Sequence, residues 1–137
     1  MTAVKALARV PIVLVGLTLF AIRALGQEAS VAGDALRGEK VFRRNCTQCH
    51  ALNENRIGPR LGDVYGRAIG SVPSFRYSAA ILQQTFVWSD STLDVWLAGP
   101  RDFIREAAMP ARLKDIQKRS DVIAYLRAMT SAAGSSR

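Results

Sequence analysis

Hydrophobic and polar positions change their rhythm several times along the chain. Val10 to Ile22 is an almost unbroken apolar run, preceded by Lys5 and Arg9 and followed by Ala24-Leu25-Gly26. A basic start, a short apolar stretch and small residues make the pattern of a secretory leader, with cleavage expected after Gly26. The run is shorter than the roughly 20 apolar residues that span a bilayer comfortably, and Arg23 interrupts its far end. An uncleaved N-terminal anchor is the competing reading. On this pattern residues 1–26 are a signal peptide, 27–32 a short linker, 33–130 the folded domain and 131–137 a flexible, small and polar tail.

Within the domain the pattern is helical where it is regular. Gly33 to Arg44 predicts a first helix, capped by Asp34, with Leu36, Val41 and Phe42 as its apolar contacts. Gly38 costs helix propensity and suggests a second backbone packed close. Asn53 to Gly70 is too rich in turn residues for long regular structure and reads as loops. Tyr77 to Gln84 suits a short helix. Ser91-Thr92-Leu93-Asp94 fits a capping box for another, running to about Ala98 and stopped by Gly99-Pro100. A loop follows from Arg101 to Leu113. The last helix begins near Ser120 and Asp121, with Val122, Tyr125, Leu126 and Met129 on its buried face. No stretch reads as a strand, so the fold class is all-α.

Composition adds charge and chemistry to this picture. The chain has 137 residues and a net charge of +8, of which Lys5, Arg9 and Arg23 belong to the leader. The remaining basic residues are scattered and no nucleic-acid motif is present, which argues against nucleic acid as a partner. A basic surface would instead steer encounters with acidic protein surfaces and weaken with salt.

Two cysteines and one histidine occur in the whole chain, and they stand together as Cys46-Thr47-Gln48-Cys49-His50. Cys-x-x-Cys-His is the attachment signature of c-type haem. Thiols three positions apart on one side of a helical turn can bond both vinyl groups of one porphyrin, and the next residue brings an imidazole under the iron. A thioredoxin-like dithiol would want a strand-helix-strand setting, a zinc site a fourth Cys or His. A structural disulfide at this spacing would close a tight loop that constrains the unfolded chain little. One covalent haem c also suits the export signal, since thioether attachment in bacteria takes place outside the cytoplasm, and its apolar surface gives a small domain something to pack around.

A low-spin electron carrier needs a sixth iron ligand, and methionine thioether supplies one that raises the potential. Met1 leaves with the leader and Met129 lies on the periodic face of the last helix as core filler. Met109 remains, in a loop and beside a proline that stiffens its exit. By elimination it is the axial candidate opposite His50.

Gly38 and Phe42, Cys46-x-x-Cys49-His50, Gly58-Pro59, Gly66-Arg67, Phe75-x-Tyr77, Trp88, Leu97-x-x-Pro100, Met109 and Ile123-Ala124-Tyr125-Leu126 form an ordered series. In that series the chain resembles a class I c-type cytochrome, the family of mitochondrial cytochrome c and its bacterial relatives, over Gly33 to Met129. The resemblance implies a single-domain fold with its terminal helices crossing and loops wrapped round the haem. It implies His50 and Met109 as the axial ligands and as the metal site. It implies Gly38 and Phe42 packed on Tyr125, and a backbone carbonyl in the region before Pro59 accepting the imidazole N–H. It places Arg67, Tyr77 and Trp88 around the inner haem propionate. Trp96 stands where a tyrosine often bonds the methionine sulfur. The chain departs from the family at Ile81, where an asparagine is frequent, at Arg105 to Ala108 before the methionine, at Ala111, and in the short segment between His50 and Gly58.

The function so implied is a periplasmic, monomeric one-electron carrier, not an enzyme, passing electrons through an exposed haem edge. Its partners would be a donor dehydrogenase or cytochrome complex and an acceptor oxidase or reductase with acidic docking surfaces, oriented by Arg43 and Arg44. A haem-based sensor or small-ligand binder, or a weak peroxidase with a labile sixth ligand, is the alternative, favoured by the altered 105–108 loop. A fixed subunit of a membrane oxidoreductase is the third reading.

Overall fold

Among the described residues the first helix forms because Asp34, in extended backbone, accepts the Arg37 N–H at 2.7 Å and so caps α1, Ala35–Asn45. The structure is a computed structural model, and it describes residues 31–135. The leader read at 1–26, most of the linker and the end of the tail lie outside the described residues. Four further helices follow in chain order: α2 Ala79–Leu82, α3 Asp90–Ala98, α4 Pro100–Phe103 and α5 Ile116–Ser135. Long irregular segments lead from α1 to α2 and from α4 to α5, while Gly99 alone separates α3 from α4. Ala68 and Val87 form an isolated antiparallel bridge, so the domain is all-α as its pattern predicts. No helix among the described residues is long and apolar enough to cross a membrane.

The core is built where α1 crosses α5. Gly38 is buried because a Cβ there would lie 2.0 Å from the Asp121 carbonyl oxygen. The two backbones therefore touch, and Phe42 and Tyr125 stack beside the crossing with ring centroids 5.4 Å apart. Val41, Val122, Ile123 and Leu126 complete this buried layer. Asp121, only 3 % exposed, clamps the same crossing from its rim. It accepts from the Asp34 N–H at 2.8 Å, from Arg37 Nε and Nη2 at 2.9 Å each and from Gln117 Nε2 at 2.9 Å. The Arg37 guanidinium holds the Asp121 carboxyl down at about 2.

Element boundaries move from the sequence reading in several places. The capping box of α3 is Ser89 with Thr92, not Ser91 with Asp94: Ser89 N–H donates to Thr92 Oγ1 at 2.8 Å and Ser89 Oγ accepts the Thr92 N–H at 3.3 Å. Thr92 Oγ1 also reaches the Val87 carbonyl at 3.1 Å, a tie to the preceding segment that fixes the frame. The last helix begins a turn early, at Ile116, because Asp115 Oδ1 accepts the Lys118 N–H at 3.1 Å. Its far end continues past Met129 to Ser135, where Ser131 and Ser135 hydroxyls bond back to carbonyls four residues earlier. The expected loop after Gly99 opens with the single turn α4, started by Pro100 at its first position.

Candidate haem centre

The Cys-x-x-Cys-His stretch leaves α1 as a continuing turn. Cys46 N–H donates to the Phe42 carbonyl at 2.8 Å, and the Cys46 carbonyl accepts from Cys49 N–H at 3.0 Å and His50 N–H at 2.8 Å. Both thiols are free and half-buried. Burial pushes the Cys46 thiol up to about 11, with Cys49 beside it adding to the rise, so it is held in the neutral form suited to an apolar wall.

His50 is fixed from two sides. Its Nδ1–H donates to the Pro59 carbonyl at 2.8 Å, leaving Nε2 as the free ligand atom. The carbonyl is that of Pro59 itself rather than one before it. A Cβ on Gly58 would fall 2.1 Å from His50 Cε1, so only glycine lets the ring lie flat against this turn. Gly58 N–H in turn donates to the Cys49 carbonyl at 2.8 Å, which returns the turn to the cysteine stretch. Burial lowers the imidazole's pKa against the opposing pull of the Pro59 bond. The neutral imidazole is the form that binds iron.

Met109 is half-buried on the irregular segment after α4 and makes no hydrogen bond among the described residues. Met129, by contrast, packs on the core as expected of filler. Ala107, 2 % exposed, pins the near end of the segment: its N–H reaches the Ile104 carbonyl at 3.1 Å and its own carbonyl accepts from Arg101 Nε at 3.2 Å. At the far end Leu113 N–H donates to the Leu97 carbonyl at 2.8 Å, and the buried Arg119 bonds the carbonyls of Leu113 and Lys114 at 3.0 and 2.8 Å and Asp94 Oδ1 at 2.6 Å. Glu106 stands at φ 66, a left-handed conformation for a residue with a Cβ.

Arg67 and Tyr77 stand on the long segment between α1 and α2, and Trp88 on the one between α2 and α3. Arg67 Nε and Ser78 Oγ are buried without a hydrogen-bond partner among the described residues. Tyr77 Oη accepts the Val72 N–H at 3.3 Å, which leaves its own proton to donate. Trp88 is buried and meets Trp96 edge-on, with ring centroids 5.5 Å apart. Buried donors left unmatched are costly unless a ligand acceptor meets them. A haem, with its apolar ring and carboxylate tails, fits what these residues lack. Ser78 was missed by sequence reasoning, because a serine before an Ala-rich helix reads as a cap; here it makes no cap bond.

A cytochrome c family model matches residues 35–130. The chain belongs to the cytochrome c family. Cytochrome c of Chlamydomonas reinhardtii is 38% identical over 104 residues, 73% of this chain and 93% of that protein. Cytochrome c of Theileria annulata is 41% identical over 103 residues, 72% and 89% respectively. Among solved structures, cytochrome cH from Methylobacterium extorquens superposes with a TM-score of 0.67 at 34% identity, covering 70% of this chain and 99% of that one. This cytochrome accordingly carries one haem c, attached through Cys46 and Cys49, and it is an electron-transfer protein rather than an enzyme. Its work is done with redox partner proteins.

Proposed function

We propose that this cytochrome is an exported one-electron carrier whose iron is held between His50 and Met109. The His50 geometry carries the reading, because an imidazole whose Nδ1–H is committed to the Pro59 carbonyl offers Nε2 in one fixed direction. The haem supplies a one-electron couple. His50 and Met109 would hold the iron in the same coordination in both oxidation states, which would keep reorganisation small, with the buried walls around them excluding water. Arg67, Tyr77, Ser78 and Trp88 would hold the inner propionate by donating to it.

Export through the 1–26 leader, with 33–130 as the mature domain, places the carrier in the periplasm as part of a respiratory chain. Arg43 and Arg44 are exposed beside the attachment stretch and orient an acidic donor or acceptor. An optical redox titration of the holoprotein tests the ligation. A strongly positive reversible midpoint, lost in Met109→Ala, is expected. A variant with the parent's spectrum and midpoint would remove Met109 from the iron.

The left-handed Glu106, three residues before Met109, favours a second reading, in which the thioether leaves readily and the protein binds small ligands or acts as a weak peroxidase. Carbon monoxide binding to the reduced form separates the two: a changed spectrum supports the labile site.

A further inference from the structure

Asp63 stands between two arginines on the loop that leads to the propionate donors. Its Oδ2 accepts from Arg60 Nη2 at 2.8 Å, and its Oδ1 accepts from Arg60 Nε at 3.3 Å and from Arg67 Nη1. Arg67 Nη2 donates to the Arg60 carbonyl at 3.1 Å. Both outer nitrogens of the Arg67 guanidinium are thus turned to the 60–63 segment. Nε is the nitrogen left buried and unmatched. The Arg67 side chain is 13% exposed and that of Asp63 29%, so water screens this pair only partly. Tyr77 feels the charges of Arg67, Arg60 and Asp63 alike, which puts all four in one electrostatic cluster.

We infer that Asp63 is a potential-setting residue: it shares Arg67 with the inner haem propionate and its carboxylate favours the ferric over the ferrous state. The inference rests on the reading above that Arg67 faces that propionate. Reduction adds one electron to the haem, and a fixed anion nearby opposes it. Asp63 also draws on the positive charge that would otherwise neutralise the propionate, and this second effect has the same sign. Arg60, a third exposed, caps the outer face of the carboxylate and moderates both. A purely structural ion pair would fix the turn and leave the haem's electron affinity alone.

Optical redox titration of holoprotein variants at fixed pH distinguishes these. Asp63→Asn should raise the ferrous-to-ferric ratio at the parent's midpoint at least threefold, about 30 mV at 59 mV per tenfold for one electron. Asp63→Glu should restore the parent value. Arg67→Gln should lower the midpoint, and Asp63→Asn added to it should move the midpoint by less than half as much as in the parent. A parental midpoint in Asp63→Asn, with Arg67→Gln lowered, overturns the role of Asp63 and leaves Arg67 at the propionate. A parental midpoint in both variants overturns the propionate assignment itself. An equal rise in both backgrounds overturns the sharing of Arg67. If Asp63→Asn does not take up haem, Arg60→Gln tests the same field: uncovering the carboxylate should lower the midpoint, and an unchanged value overturns the inference.

Discussion

Gly58 shows how one hydrogen atom in place of a methyl sets the position of the His50 ring. Alanine there would put its Cβ 2.1 Å from His50 Cε1, so the ring must rotate off the Pro59 carbonyl or the turn must open. Gly58→Ala should cost about 3 kcal/mol or more of holoprotein stability and broaden the low-spin spectrum; a parental melting curve would show that the turn yields freely. Glu106 is the opposite case. Gly at φ 66 removes the Cβ penalty of roughly 1 kcal/mol, so Glu106→Gly should strengthen the methionine segment and reduce carbon monoxide binding. Unaltered binding would mean the strain does not reach Met109. The two haem-attaching cysteines were legible in the sequence because covalent attachment confines them, with the adjoining histidine, to five consecutive positions. The Asp63 cluster was not. Its spacing of three and four looks like ordinary helix pairing, yet it lies in a segment without a helix, and only the folded loop turns both arginines onto one carboxylate.

At the level of elements, the α1–α5 crossing is held by a backbone touch and by one buried acid. Gly38→Ala drives a Cβ against the Asp121 carbonyl and should separate the helices at a cost of about 3 kcal/mol. Asp121 works through charge. Its carboxyl is held at about 2 against an ordinary 3.8, so its contribution is complete above the ordinary value and is lost as pH falls from about 4 through 2. Asp121→Asn should destabilise by about 1 to 2 kcal/mol at pH 7, and that gap should shrink over the same acid range. Urea melts at several pH values check this; a gap constant down to pH 2 would assign the effect to packing. The apolar period located α1 and the buried face of α5 in the sequence. It misplaced the start of α5 because the first turn, Ile116 to Arg119, is solvated except for Arg119 and carries no apolar rhythm. The cap of α3 was misframed for a related reason: Ser89, Ser91 and Thr92 offer equivalent local chemistry, and the Val87 carbonyl, outside the helix, decides among them.

The whole molecule presents a basic exterior, +8 before any leader is removed, around a haem whose attachment stretch begins beside Arg43 and Arg44. Changing both to glutamate should slow reduction by an acidic donor several-fold at low salt, with the difference fading as ionic strength rises. Equal rates at low salt would place docking elsewhere. The buried Arg119 has its consequence at this scale too. It fastens the far end of the methionine segment to α3 and α5, while Ala107 fastens the near end, and Arg112 pairs with Asp102 at 3.0 Å, so only the short stretch Ala108 to Ala111 lies between these ties. Under the ligation proposed above, a thioether on so short a tether would meet the iron at a high effective concentration, and an outside ligand would have to compete against that figure rather than against intrinsic affinity. Arg119→Met, which keeps the packing and loses the clasp, should therefore let added imidazole displace Met109 at about tenfold lower concentration, a shift readable directly from the ferric spectrum.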